Sequence, residues 1–190
     1  MPALVLFRRR RSLAALAALV FVALAGVPSV PGRAGVAAWP EAEGPLPAPA
    51  DRVVLTVRGN IARTNAPGEA RFDLAMLEAL PRTGFSTSTV WTDGVAHYEG
   101  VLLADLLALV GAAGSAVNAI AIDGYMVQIP THDLQPDGPI LAFLRDGARM
   151  PVRDRGPLWV IYPYDANPAY RNDTTYARSI WQLILIEVEG

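Results

Sequence analysis

Aromatic and polar side chains recur together in this sequence where predicted strands end. They lie in four segments, at residues 89–94, 123–125, 159–164 and 176–181. An aromatic face can stack on a flat heteroaromatic ligand, while a carboxylate or amide binds the nitrogens of its ring. These segments supply the candidate ligand-binding residues Thr89, Trp91, Asp93, Asp123, Tyr125, Tyr162 and Trp181. The alternative is that the aromatics are core residues beside turns, which is favoured for Tyr98 and Trp159, while both interpretations stay open for Trp91.

A pair of arginines adds a further candidate. Arg153 and Arg155 flank Asp154 directly before a predicted strand at residues 158–162. Such guanidinium groups can bind an anionic or carbonyl group, or they can form an ion network on the surface. The residues alone favour the surface network, but Arg153 is retained as a candidate ligand-binding residue.

Several chemistries are excluded by residue type. The chain has no cysteine and no lysine, which rules out thiolate ligands, cysteine nucleophiles and Schiff-base chemistry. Its two histidines, His97 and His132, lie in no hydrolase or paired-histidine motif, and catalytic zinc needs three protein ligands. Binding without catalysis is therefore favoured over thiolate or metal chemistry.

The first 38 residues are typical of a secretory signal peptide. Four arginines at residues 8–11 precede an apolar run at residues 13–25, followed by small residues that suit a signal peptidase. The run is shorter than the roughly 18 residues that span a bilayer, although an uncleaved anchor is the alternative. Arg10 and Arg11 also allow a twin-arginine export route. We therefore expect a periplasmic protein.

Beyond this leader the chain is predicted to form one acidic domain. Residues 39–51 are interpreted as a flexible lead-in and residues 52–190 as the domain. From Trp39 onward 11 Arg stand against 18 Asp plus Glu, a net charge near −7, which disfavours nucleic acid as a partner. Without cysteines, the fold must be stabilised by a packed core.

Local patterns predict many strands and few helices. Strands are expected at residues 53–57, 85–90, 95–99, 117–122, 125–129, 140–144, 149–152, 158–162 and 180–188. Asp93 and Gly94 are predicted to form a tight turn, and the uncharged strand at 158–162 is predicted to be central. Asp73 is expected to cap a short helix, and a second helix is predicted at residues 101–110. The strands do not alternate regularly with helices, so the predicted class is α+β.

Six blocks of sequence together resemble the sulfite-oxidase-type molybdopterin-binding domain family. They read WTDG at 91–94, YEGVLLADLL at 98–107, AIDGY at 121–125, LAFLRDG at 141–147, GPLWVIYP at 156–163 and RSIWQL at 178–183. Each block is weak alone, but their order and spacing match from about residue 52 to residue 189. The resemblance implies a mixed-sheet fold with a pterin cleft, in which Arg178 and Ser179 complete the pocket before Trp181.

The sequence departs from this family at the metal ligand. Redox-active members hold molybdenum through a cysteine in the strand that here spans residues 85–92, where this chain has only serine and threonine hydroxyls. Hydroxyls are hard ligands that do not replace a soft thiolate on that metal. The resemblance is therefore greatest to cysteine-free periplasmic pterin-binding regulators.

That subgroup implies a function. Its members bind a reduced pterin, without molybdenum, and contact the periplasmic sensor part of a membrane diguanylate cyclase, thereby controlling cyclic-di-GMP. The expected ligand contacts are stacking by Trp91 or Tyr125 and hydrogen bonds to Asp93 or Asp123. Two alternatives stay open: a molybdopterin oxidoreductase with an oxygen ligand to the metal, and a protein-interaction domain whose cleft has decayed.

Overall fold

The computed structural model describes residues 45–190. The predicted signal peptide at residues 1–38 and the first part of the predicted lead-in lie outside the described residues. Across residues 45–190, none of the helices combines the length and the apolar character needed to cross a membrane.

The described chain is mostly β-structure with three short α-helices. The strands are β1 (Val53–Gly59), β2 (Glu69–Asp73), β3 (Thr83–Thr89), β4 (Thr92–Leu102), β5 (Ala116–Ala121), β6 (Met126–Pro130), β7 (Ile140–Arg145), β8 (Ala148–Arg149), β9 (Trp159–Ile161) and β10 (Leu183–Val188). The α-helices are α1 (Leu74–Glu78), α2 (Leu103–Leu109) and α3 (Asp173–Arg178). The predicted α+β class with few short helices is confirmed.

Two sheets form the scaffold. The first has the order β2-β1-β10-β5-β6 and is mixed, because β10 runs parallel to β1 and antiparallel to β5. The second has the order β3-β4-β7-β8, and β9 also pairs with β7. Strand β10, the last strand, therefore lies in the middle of the first sheet, between β1 and β5.

Strand β7 shows how the apolar residues are shared between two cores. Leu141 and Phe143 point into the larger core together with residues of the first sheet such as Leu55. Ile140 and Ala142 point the other way into a smaller core around Tyr98 and Trp159. Successive side chains in a strand alternate between faces, so both faces of the second sheet are buried here. Tyr98 and Trp159 are thus core residues, as the sequence favoured.

The described part of the predicted lead-in contacts the domain that is predicted to start at Arg52. Leu46 is buried in the larger core, and the backbone N–H groups of Ala50 and Asp51 donate to Asp73 Oδ2 at 2.8 and 3.0 Å. Residues 45–51 therefore pack on the domain. Apolar burial and the Asp73 carboxylate hold this segment in place, although its prolines and small residues had predicted a flexible one.

The turn between β3 and β4 differs from the predicted one at Asp93 and Gly94. The reversal lies at Val90 and Trp91, between the paired residues Thr89 and Thr92. Asp93 and Gly94 lie within β4, where the register shifts and Gly94 has a φ of +67°. A bulge residue in the left-handed region favours glycine, so the Asp-Gly signal marked a bulge and not the turn. This places Trp91 at the tip of the hairpin.

The predicted central position of the strand at residues 158–162 is wrong. β9 forms a strand ladder with β7 alone, and on its other side the connection before β10 covers it with a single bridge between Trp159 and Trp181. There the Val160 N–H donates to the Ile180 carbonyl at 2.9 Å. All three residues of β9 are buried, so its uncharged sequence reflects burial and not a central place in the sheet.

We expect Asp73→Ala to lower the free energy of unfolding by about 2 kcal/mol, because a buried carboxylate that caps a helix would be lost. Asp73 is 1% exposed, and it accepts from Met76 N at 2.8 Å in addition to its bonds to residues 50 and 51. Denaturant unfolding measures the change. The exposed Asp105, in the first turn of α2, provides the control Asp105→Ala, which should cost well under 1 kcal/mol.

The difference in stability between wild type and Asp73→Ala should also depend on pH. Hydrogen bonds, above all the one from Met76, lower the pKa of Asp73 below its ordinary value of 3.8. Because the pKa is lower in the folded state, the stabilisation is complete above about pH 4 and is lost as the pH falls through the folded-state pKa. A difference between wild type and Asp73→Ala that stayed constant down to about pH 2 would contradict this role.

Candidate functional site

A cleft of about 390 Å³ opens where three connections meet. These are the β3–β4 hairpin tip, the β5–β6 turn, and the segment joining α3 to β10. We call it the aromatic cleft. Its lining residues are Trp91, Ala121, Asp123, Tyr125, Tyr176, Ala177, Ser179, Ile180 and Trp181. Its size is within the usual range for small-molecule sites.

Trp91 is the centre of an aromatic cluster in this cleft. Its ring centroid lies 5.7 Å from that of Trp181, 5.8 Å from that of Tyr176 and 5.9 Å from that of Trp159. All three pairs are edge-to-face, the geometry that aromatic quadrupoles favour. Trp159 is fully buried, whereas Trp91 and Trp181 are half-buried. The core therefore holds the inner ring and presents the outer two to the cleft.

The guanidinium of Arg155 contacts two of these rings and the hairpin tip. Its guanidinium carbon lies 5.4 Å from the ring centroid of Trp159 and 5.8 Å from that of Trp181. Its Nη2 donates to the Trp91 carbonyl at 2.9 Å. A guanidinium over indole faces is favourable, and the hydrogen bond fixes the hairpin tip against the cluster. One cation therefore contacts two indoles and holds the backbone of the residue that carries the third.

The β5–β6 turn supplies the charged group of the cleft. Asp123 Oδ1 accepts from the Tyr125 N–H at 3.0 Å, and the Tyr125 hydroxyl donates to the Ala177 carbonyl at 3.1 Å. These bonds fix the turn against the end of α3. Asp123 is the only charged side chain among the described residues that line the aromatic cleft. The cleft is consequently apolar and aromatic, with one carboxylate at its edge.

The cleft brings together half of the predicted ligand-binding residues. Trp91, Asp123, Tyr125, Ser179 and Trp181 all line it. Ser179, however, is 1% exposed, and its hydroxyl donates to the Thr175 carbonyl at 2.8 Å and hydrogen-bonds the Tyr164 hydroxyl. Its side chain is thus committed to the core, and it lines the cleft without offering a free hydroxyl to a ligand.

The other five predicted residues lie elsewhere. Arg178 and Tyr162 line a second depression on another face of α3. The Thr89 hydroxyl bonds that of Thr92 at 2.7 Å inside the hairpin turn. Asp93 and Arg153 are exposed and do not line the aromatic cleft. Adjacent residues at the end of the short helix α3 point in different directions, which separates Arg178 from the cleft.

Two residues of the site were missed. Tyr176 lines the cleft and packs edge-on against Trp91, and it lies within the aromatic segment already recognised at residues 176–181. For Arg155, the sequence alone favours a place in a surface ion network. Its φ of +64° turns it toward the indoles, while Arg153 two residues earlier points to solvent.

The residues of the strand that would hold a metal do not fit molybdenum. Each hydroxyl at residues 86–89 of β3 already has a protein partner: Ser86 bonds His97, Thr87 bonds Ser88 and Asp165, Ser88 bonds Asp165, and Thr89 bonds Thr92. These are hard oxygen donors, and no thiol exists in the chain. Among residues 45–190 there is also no group of three or more His, Asp or Glu placed to hold a metal ion.

Comparisons with known proteins identify the fold. No protein-family model matches the chain, and no curated protein matches it. Among solved structures, that of the sulfane dehydrogenase SoxCD from Paracoccus pantotrophus is similar, with a TM-score of 0.54 and 17% sequence identity. The match covers 71% of this chain and 37% of the SoxCD chain. The predicted sulfite-oxidase-type molybdopterin-binding fold is thereby confirmed as a fold, and the chain spans little more than a third of that protein.

We expect Arg155→Lys to lower the free energy of unfolding by about 1–2 kcal/mol, because lysine keeps the charge but loses the planar contact with two indoles and the bond to Trp91. The intrinsic tryptophan fluorescence should also shift to longer wavelength as the cluster loosens. Arg153→Lys is the matched control, two residues away and exposed. Equal effects of the two substitutions on stability and emission would show that Arg155 does not hold the cluster.

Proposed function

We propose that the aromatic cleft binds a reduced pterin and that the protein is a non-catalytic, periplasmic pterin-binding regulator. The observation that carries this proposal is the arrangement of Trp91, Trp181 and Tyr176 around a cleft with Asp123 at its edge. A pterin is flat, with apolar faces and a donor-rich amino-pyrimidine edge. The aromatic rings match its faces, and the carboxylate matches its edge.

Asp123 is suited to recognise that edge. One carboxylate oxygen accepts from the Tyr125 N–H, which orients the group and leaves the second oxygen for a ligand N–H. A charge-assisted hydrogen bond beside apolar walls is stronger than one in open water. Stacking together with two or three such bonds is enough for micromolar binding, about 8 kcal/mol.

The charge of the cleft favours an unphosphorylated ligand. No arginine lines it, its one charged group is acidic, and the chain beyond residue 38 carries a net charge near −7, from 11 Arg against 18 Asp plus Glu. A phosphate monoester would therefore meet an acidic group and no lining cation, because the nearby Arg155 guanidinium is engaged with two indoles and the Trp91 carbonyl. This argues for a free reduced pterin as ligand and against a molybdopterin, which carries a phosphate.

The mouth of the cleft supports a role in binding a partner. Four large apolar residues are exposed near the two indoles: Val90 precedes Trp91, Val95 lines a shallow depression together with Trp91, and backbone groups of Ile122 and Val152 bond Gln182, which follows Trp181. We call these four residues the apolar rim. Exposed apolar residues grouped around a site are typical of protein-binding surfaces. The proposed partner is the periplasmic domain of a membrane diguanylate cyclase, whose output is cyclic-di-GMP.

The alternative is a molybdopterin oxidoreductase with an oxygen ligand to the metal. The similarity of the fold to that of a sulfane dehydrogenase favours this class. Against it stand the hydroxyls of β3, which are occupied by bonds within the protein, and the cleft, whose one lining charge is the carboxylate of Asp123. We therefore place this alternative second.

We expect a reduced pterin to quench the intrinsic tryptophan fluorescence saturably, with a dissociation constant in the micromolar range. Trp91→Leu and Trp181→Leu should each weaken binding about tenfold or more, because a stacking face is removed. Asp123→Asn should weaken it about tenfold by removing the charged acceptor. Phe85→Leu provides the control, since Phe85 is half-buried in the neighbouring strand β3 and does not line the cleft.

Two results would contradict this proposal. One is the absence of saturable quenching by any reduced pterin in a protein that unfolds cooperatively. The other is stoichiometric molybdenum in natively expressed protein, measured by elemental analysis, which would favour the oxidoreductase. If a phosphorylated pterin bound more tightly than the free pterin, the inference that the ligand is unphosphorylated would be wrong, while pterin binding itself would stand.

For the partner, we expect the purified protein to bind the periplasmic domain of a diguanylate cyclase from the same organism in a pterin-dependent way. Val95→Asp and Ile122→Asp should weaken this association at least tenfold, because each places a charge in the apolar rim. Ile184→Asp is the matched control, since Ile184 is also exposed but lies on strand β10, outside the rim. Unchanged association of both rim variants would exclude the rim as the docking surface.

A further inference from the structure

A second depression, distinct from the aromatic cleft, is lined in part by a tyrosine whose buried hydroxyl has no partner among the described residues. This polar cleft has a volume of about 400 Å³ and is lined by His132, Asp133, Gln135, Tyr162, Tyr170, Thr174 and Arg178, among others. Tyr162 is 2% exposed, and its hydroxyl has no hydrogen-bond partner among the described residues. Burial raises the pKa of Tyr162, so the phenol stays protonated and can donate. A buried hydroxyl left unpaired is costly, which makes it a candidate contact for a ligand.

Opposite charges lie next to this hydroxyl. Arg178 Nη1 donates to Asp133 Oδ2 at 2.7 Å, and both side chains are only partly exposed. This single-point contact leaves other N–H groups of the guanidinium to donate to a ligand. The rings of Tyr162 and Tyr170, with centroids 5.2 Å apart, form an aromatic wall beside the pair. The cleft thus offers a cation, an anion, a phenol donor and ring faces within one small volume.

The charges select the class of ligand. A simple anion would approach Asp133 as closely as Arg178, and a simple cation would meet the guanidinium, so neither gains from the pair. His132 Nε2 lies 3.2 Å from the other oxygen of Asp133, at the exposed edge of the cleft. A ligand that carries an ammonium and a carboxylate on the same carbon gains from both groups at once.

We propose that the polar cleft binds a small zwitterion of the α-amino-acid type. Its carboxylate accepts from Arg178 and from the Tyr162 hydroxyl, while its ammonium lies against Asp133 and the ring of Tyr170. The aromatic cleft uses other residues of α3, namely Tyr176 and Ala177. This proposal therefore stands independently of pterin binding.

The test is a titration of the purified protein with each of the proteinogenic α-amino acids, by thermal unfolding and by calorimetry. At least one amino acid should raise the unfolding temperature saturably at millimolar concentration or below. Tyr162→Phe should weaken its binding about tenfold while leaving the unfolding temperature of the free protein unchanged or higher, because the lost hydroxyl had no partner. Arg178→Gln should weaken binding about a hundredfold, because the ligand carboxylate loses its cation.

Arg58→Gln is the matched control, since it breaks an exposed arginine–glutamate pair on the first sheet and should leave amino-acid binding unchanged. Trp91→Leu should likewise leave it unchanged, which separates this site from the aromatic cleft. The proposal is overturned if no amino acid binds saturably up to about 10 mM. It is also overturned if an N-acetylated amino-acid amide, which lacks both charges, binds as well as the free amino acid, or if Tyr162→Phe binds as tightly as wild type.

Discussion

The edge-to-face packing of Trp91 against Trp159 and Trp181, fixed by Arg155, is the interaction on which the site depends. Trp159 belongs to the core, and its indole N–H donates to the Ser179 carbonyl at 3.0 Å. That bond anchors the segment after α3, which carries Trp181 into the cleft. Without this cluster the hairpin tip and the α3–β10 connection would share few contacts, and no concave aromatic surface would form between them.

The two sheets make this cluster possible because they bury both faces of the second sheet near β9. The larger core lies on one face of β7, and the smaller core, with Tyr98 and Trp159, lies on the other. Asp165 adds a second support, since it accepts from both the backbone and the side chain of Ser88 at 2.7 Å. These bonds lower the pKa of Asp165 and tie the end of β3 to the loop after β9. The cleft walls are therefore held by the core below and by hydrogen bonds at the side.

The sequence predicted the features that arise from local patterns. The Asp73 cap, most strand positions and the hairpin at residues 140–149 follow from alternation, capping and turn residues, and aromatic residues beside turns led to Trp91, Asp123 and Trp181. Features that depend on the direction in which a side chain points could not be predicted. Arg153 and Arg155 differ in function because one has a left-handed backbone conformation. Arg178 and Ser179 are neighbours in sequence, yet one enters the polar cleft and the other the core, because α3 ends between them.

The hydrogen bonds of the β3 hydroxyls and the lining of the aromatic cleft are the observations that support the proposed binding role. A molybdenum centre needs a soft ligand, and this chain replaces it with hydroxyls whose hydrogen bonds are already made within β3 and with Asp165. Freeing one of them for a metal would leave a backbone or carboxylate partner unpaired, which costs about 1–3 kcal/mol before any metal bond forms. An aromatic cleft with one oriented carboxylate needs no such rearrangement to accept a flat, uncharged ring. The hydroxyls at the position of the metal ligand therefore act within the protein's own hydrogen-bond network, whereas the aromatic cleft could take up the ring that we propose as its ligand without breaking such bonds.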